Sequence, residues 1–182
     1  DEETPTETTD EPAAVTCEET WPGEPDYSFQ DAKRFGRAVP SGERIFVGSD
    51  AGLLALTSAL EPVWKQPRIE ANVYDVADGV VLTSGGNRVV AADSEQGEVL
   101  WSFEPPGNHA RVAQGPAVQD KTVYVAASQT QTPSTDPEVE YGRLYALQVK
   151  TGSKVFVADL SPENREWVQP RYLIADAAGV FV

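Results

Sequence analysis

Hydrophobic residues in this chain come in short bursts. RIFVGS at residues 44–49, LLAL at 53–56 and VW at 63–64 are separated by DAG and by a polar turn. The apolar residues alternate within such runs, the period of a strand that shows successive side chains to opposite faces. No segment sustains an apolar period near 3.6 residues, which excludes a helical solenoid. The bursts also recur. A second copy runs GVVLTS (79–84), GGN (85–87), RVVAAD (88–93), QGE (96–98) and VLW (99–101). A third runs KTVYVAAS (121–128), GRLYAL (142–147), KTGSK (150–154) and VFV (155–157). Trp64 and Trp101 stand 37 residues apart, Val47 and Leu82 35, and Leu82 and Val125 43, the last lengthened by a polar insertion from Gln129 to Tyr141.

A further short run precedes the second and third copies, at 73–77 and 116–119, so each unit holds four strands. Four short strands in a unit of about 40 residues make a propeller blade. The Gln-Gly and Thr-Gly pairs supply the left-handed residue of a tight hairpin turn. Trp64, Trp101 and Phe156 end the fourth strands and are expected to wedge between blades, a packing role that takes precedence over service as a stacking platform. Residues 172–182 match the start of another unit, aligned on residues 78–82. The predicted fold is therefore all-β: a β-propeller of four-stranded blades, three blades plus the start of a fourth, expected to be part of a propeller of about seven or eight blades. Assembly of several copies into one ring is the less economical alternative.

Composition separates the ends of the chain. The net charge is −15, and residues 1–26 hold ten acids and no Lys or Arg, leaving 19 acids against 14 bases in the rest. The leader, DEETPTETTDEPAAVTCEETWPGEP, is rich in Thr, Pro and Glu and cannot bury enough surface to offset its ordering entropy. Residues 1–28 are accordingly read as a disordered leader or tether and 29–182 as the partial propeller. The mildly acidic remainder argues against nucleic acid as a partner, because phosphate binding needs a basic surface. No apolar run approaches the length of a membrane span. The chain has no Met, from which processing or excision from a longer protein is expected. Cys17 is read as an incidental thiol, preceded by Val-Thr and not by the small residues of a lipid-attachment site.

The pattern V-Y-V-x-S, G-x-L-Y-A-L and T-G-x-x-x-W, carried best by residues 89–101 and 142–156, resembles the pyrroloquinoline-quinone-like propeller repeat family. That resemblance covers about residues 35–182 and departs at Phe156, where the other units have Trp. The family includes quinone-dependent dehydrogenases and non-enzymatic relatives, among them a lipoprotein that helps assemble outer-membrane barrels. The resemblance implies the latter branch here, since the vicinal cysteine pair of several quinone alcohol dehydrogenases is absent: Cys17 is the single Cys.

In a four-stranded antiparallel blade, the links between units and the second-to-third-strand turns share one end. That end is the expected ligand or partner face, with Arg68, His109, Arg111, Arg165 and Trp167 brought to it by the links. Ordinary solvated residues pairing with nearby acids are the competing account of these five. Asp136, Glu138 and Glu140 in the insertion lack the Asp/Asn-Gly spacing of a calcium loop, so the insertion is read as a polar, mobile loop. No catalytic, cofactor-binding or metal-ligating residue is assigned, and no cofactor is expected. The expectation is a non-catalytic, extracytoplasmic binding or scaffold propeller, secreted or held at the cell surface. Its partner is a protein or small molecule, and its only membrane attachment an N-terminal lipid anchor. The alternatives are the N-terminal part of a quinone-dependent dehydrogenase and the sensor region of a membrane receptor.

Overall fold

The computed structural model describes residues 34–69, 72–85, 87–107, 110–131, 139–160 and 173–182, and the acidic leader lies outside them. Among these residues every regular element is a strand. The first sheet joins β1 (Phe35–Ser41), β2 (Arg44–Ser49), β3 (Gly52–Thr57) and β4 (Pro62–Gln66) in chain order. The second joins β5 (Asn72–Ala77), β6 (Val80–Gly85), β7 (Arg88–Asp93) and β8 (Val99–Phe103). The third joins β9 (Ala110–Gln119), β10 (Thr122–Gln131), β11 (Val139–Gln148) and β12 (Lys154–Asp159), and a hairpin of β13 (Ile174–Asp176) and β14 (Gly179–Phe181) follows. All pairs are antiparallel neighbours in sequence. The three four-stranded blades and the start of a fourth are as the repeat predicts.

The first strands of successive sheets lie against one another, β1 on β5, β5 on β9 and β9 on β13, so the sheets radiate from a shared inner edge. Two close approaches hold that edge together. Tyr74 of β5 lies where a Cβ on Gly115 of β9 would stand, and Arg37 of β1 donates to the Tyr74 carbonyl. Only a residue without a side chain fits under the Tyr74 ring.

Alternation along the middle strands sorts the core into two layers. Phe46, Leu53 and Ala55 of the first sheet, with Ile69 of the link that follows it, meet Val73, Val81, Val90 and Ala92 of the second. Val80, Leu82, Val89, Ala91 and Trp101, from the opposite face of the second sheet, meet Val123, Val125, Tyr145 and Leu147 of the third. The second sheet is thus buried on both faces, which is why β6 and β7 read as near-continuous apolar runs. The third sheet buries one layer. Beyond it Val155, Phe156 and Val157 are exposed, Phe156 at 43%. The inter-blade wedge expected of Phe156 is therefore absent among the described residues: its ring pairs with Tyr124 of its own sheet, centroids 6.3 Å apart.

The insertion departs from its expected loop. β10 runs to Gln131 and β11 starts at Val139, paired through Gln129↔Tyr141 and Thr130↔Glu140 to Gln131↔Val139. Thr, Val and Tyr in this segment suit an extended ladder, which outweighs its polarity. Residues 132–138, including Asp136 and Glu138, lie outside the described residues.

Candidate functional site

A row of three side chains crosses the outer strands of each sheet on one face. Register pairing aligns Phe46, Ala55 and Trp64; Leu82, Ala91 and Trp101; and Tyr124, Ala146 and Phe156. The central alanine leaves room for the aromatic ring on the edge strand. From there the two tryptophans reach the next sheet. Trp64 Nε1 donates to the Ser94 carbonyl at 3.1 Å, and Trp101 Nε1 to the Val149 carbonyl at 2.7 Å. Each ring covers a turn glycine. A Cβ on Gly97 would stand 2.6 Å from Trp64, and one on Gly152 2.7 Å from Trp101. Both glycines have left-handed backbone, φ 75° and 66°. The matching position in the first sheet, four residues before Trp64, is Leu60: φ 64° and 56% exposed, in a turn one residue shorter. These aromatics are packing elements, as their recurrence suggests.

The five cations and aromatics assigned to the link end fall differently. His109, Arg165 and Trp167 lie outside the described residues. Arg68 is exposed in the turn after β4, its backbone N–H directed at Gln66 Oε1, 3.4 Å away. Arg111, at the start of β9, donates from Nε to the Ser128 hydroxyl at 3.1 Å, and Ser128 is buried. Arg68 and Arg111 thus serve separate links, the first after β4 and the second before β9. The same sheet carries Arg143, a cation the sequence reading did not single out, which donates to Asp159 Oδ1 at 3.0 Å. Hydrogen bonding to Tyr145, and then to Asp159, holds its guanidinium pKa above the ordinary arginine value.

The opposite end holds a feature that sequence reasoning missed. A cavity of about 370 Å³ opens where the β1–β2 turn, the β5–β6 turn and the β7–β8 turn meet. Arg44 crosses this junction, donating to the Ser94 carbonyl and pairing with the Glu95 carboxylate. The Ser94 carbonyl therefore accepts from both Arg44 and Trp64, while its N–H donates to the Gly79 carbonyl at 3.0 Å. Glu43, Asp78 and Glu95 stand at the cavity's exposed rim, and buried Phe46 also lines it. Turn composition alone gave no signal, because the lining comes from three turns, centred near residues 42, 78 and 94, that only the sheet packing juxtaposes.

The PQQ_2 family model, described as outer membrane protein assembly factor BamB, matches residues 15–174, a span that begins inside the acidic leader. The serine/threonine-protein kinase AfsK of Streptomyces griseus is 29% identical over 140 residues, 69% of this chain and 15% of the kinase. Among solved structures, the quinohemoprotein alcohol dehydrogenase of Comamonas testosteroni is similar over 72% of this chain and 22% of its own, with 14% identity and a TM-score of 0.55. The quinohemoprotein alcohol dehydrogenase ADHIIG of Pseudomonas putida HK5 is similar over 69% and 20%, with 16% identity and a TM-score of 0.53. The chain thus spans a fifth or so of the length of these proteins, and the two structures speak to the fold alone.

Proposed function

Because the chain belongs to the family of outer membrane protein assembly factor BamB, we propose that it is a non-catalytic binding or scaffold propeller of the cell envelope, working outside the cytoplasm and tethered by its acidic leader. The observation that carries this reading is the family match through residues 15–174, which takes in all three four-stranded sheets. The link end suits a protein partner. Two of its described cations, Arg111 and Arg143, are held by Ser128 and Asp159, so they present fixed charge with little ordering left to occur on binding.

A photo-crosslinking residue at position 68 tests the reading in cells. A discrete adduct with an envelope protein, lost on Arg111→Glu, is the expected result; crosslinking to cytoplasmic protein alone would overturn it. Reconstitution with pyrroloquinoline quinone and calcium tests the enzymatic alternative. No alcohol- or sugar-dependent reduction of an artificial electron acceptor is expected, and turnover would put the dehydrogenase reading in its place. A second reading, as the sensor region of a membrane receptor, is favoured by the 140-residue likeness to a protein kinase.

A further inference from the structure

The cavity between the first two sheets has an unusual inventory of polar groups. Ser94 lines it and is only 8% exposed, and its backbone is pinned on both sides, N–H to Gly79 and carbonyl to Arg44 and Trp64. Its hydroxyl has no partner among the described residues. It lies 3.7 Å from the point where a Cβ on Gly79 would stand, and Gly79 lines the same cavity. A buried hydroxyl without a hydrogen bond is costly, about 1–3 kcal/mol, and such groups call for an explanation. At the rim, the Glu43 and Asp78 carboxylates likewise meet no cation among the described residues.

The cations nearby are already engaged. Arg44 is held by Glu95 and the Ser94 carbonyl, and Lys150 donates to the Asp78 carbonyl from beside Gly79. What remains on offer is three oxygen acceptors, two of them charged, above an apolar wall formed by Phe46 and Val76. An anion would face the Glu43, Asp78 and Glu95 carboxylates, with little beyond the Ser94 hydroxyl and the remaining Lys150 N–H groups to offset their charge. A divalent cation would need several ligands converging on one point, and among the described residues no group of three His, Cys, Asp or Glu is so placed. An alkyl ammonium fits: three N–H donors for three acceptors, and a methylene stem for the Phe46 wall. The volume, about 370 Å³, falls within the usual range for a small-ligand pocket.

We propose that this cavity binds a primary alkylammonium group, hydrogen-bonded to the Ser94 hydroxyl and paired with the Glu43 and Asp78 carboxylates. The group is either the side chain of a lysine on a partner polypeptide or a free amine. The site lies at the end of the sheets opposite Arg68 and Arg111, so it stands independently of the scaffold reading.

Two-dimensional ¹⁵N–¹H spectra of the full chain provide the test. Titration with Nα-acetyl-lysine methylamide and with n-butylammonium should give saturable shifts at the Gly42, Gly79 and Glu95 amides. The norleucine analogue, which has the stem without the charge, should give none. Asp78→Asn and Glu43→Gln should each weaken binding about tenfold, the loss of one charge-assisted bond. Asn tolerates the left-handed backbone of position 78, φ 55°, so the turn is kept. Ser94→Ala should weaken binding several-fold while leaving the thermal midpoint unchanged or higher, because the hydroxyl it removes has no protein partner. A lysine-bearing peptide that binds at least about tenfold tighter than the lysine analogue identifies a polypeptide as the source, and equal affinity a free amine. The proposal is overturned if no probe gives saturable shifts, if the norleucine analogue binds equally, if inorganic phosphate competes at the same amides, or if Asp78→Asn with Glu43→Gln leaves affinity unchanged. Should Ser94→Ala fail to fold, the two rim variants still decide the matter.

Discussion

Trp101 shows how much one residue carries. Its ring is 9% exposed, lies on Gly152 of the next sheet, and satisfies the Val149 carbonyl at 2.7 Å. Trp101→Ala would leave a void and an unpaired carbonyl, and should destabilise the fold by about 3–5 kcal/mol, measured by denaturant titration. A loss under about 1 kcal/mol would mean that the ring is dispensable to packing. The partner residue should be nearly as sensitive. Gly152→Ala places a methyl 2.7 Å from the indole on a backbone with φ 66°, and should cost about 1–3 kcal/mol in the same assay. Only half of this pair was legible in the sequence. The recurrence of Trp64 and Trp101 announced a wedge, and the Gln-Gly and Thr-Gly pairs announced left-handed turns. That the glycines are also the surfaces on which the rings lie was hidden, because the two halves of each contact are 33 and 51 residues apart. Phe156 carries the same position without the same burial, since what buries the ring is the neighbouring sheet and not the residue itself.

At the scale of the element, strand patterning foretold which segments pair but not how far they extend. The runs at 44–49 and 88–93 coincide with β2 and β7, where turn residues punctuate both ends. The polar insertion concealed three more residues of β10 and three of β11, because Gln-Thr-Gln and Val-Glu-Tyr carry no core-facing pattern from which a strand is recognised. Backbone pairing needs none. Amide exchange should therefore show protection among residues 129–131 and 139–141 comparable to that of an exposed edge ladder, and exchange at the rate of free peptide throughout would contradict the observed register. The candidate site was least legible for the same kind of reason. A link end can be named from strand alternation, but the Ser94 cavity is assembled by turns that share no motif.

For the whole molecule, burial is graded from sheet to sheet. The second sheet is covered on both faces and the first and third on one each. Under native conditions the slowest-exchanging amides should lie in β6 and β7, with faster exchange in β12 and the β13–β14 hairpin; uniform protection across all the sheets would show that the three open as one unit. The docking of aromatic onto glycine also runs one way, from each sheet to its successor, and Leu60 interrupts it. Where the second and third sheets offer a bare glycine, the first offers a leucine side chain. A ring laid on the first sheet in the way Trp64 lies on Gly97 would therefore meet a side chain where its counterparts meet bare backbone. Leu60→Gly removes a half-exposed side chain from a left-handed position, so denaturant titration should show a change of under about 1 kcal/mol, below that of Gly152→Ala. A single leucine thus makes the first sheet's turn chemically unlike the two that follow it, although the strands on either side keep the shared pattern.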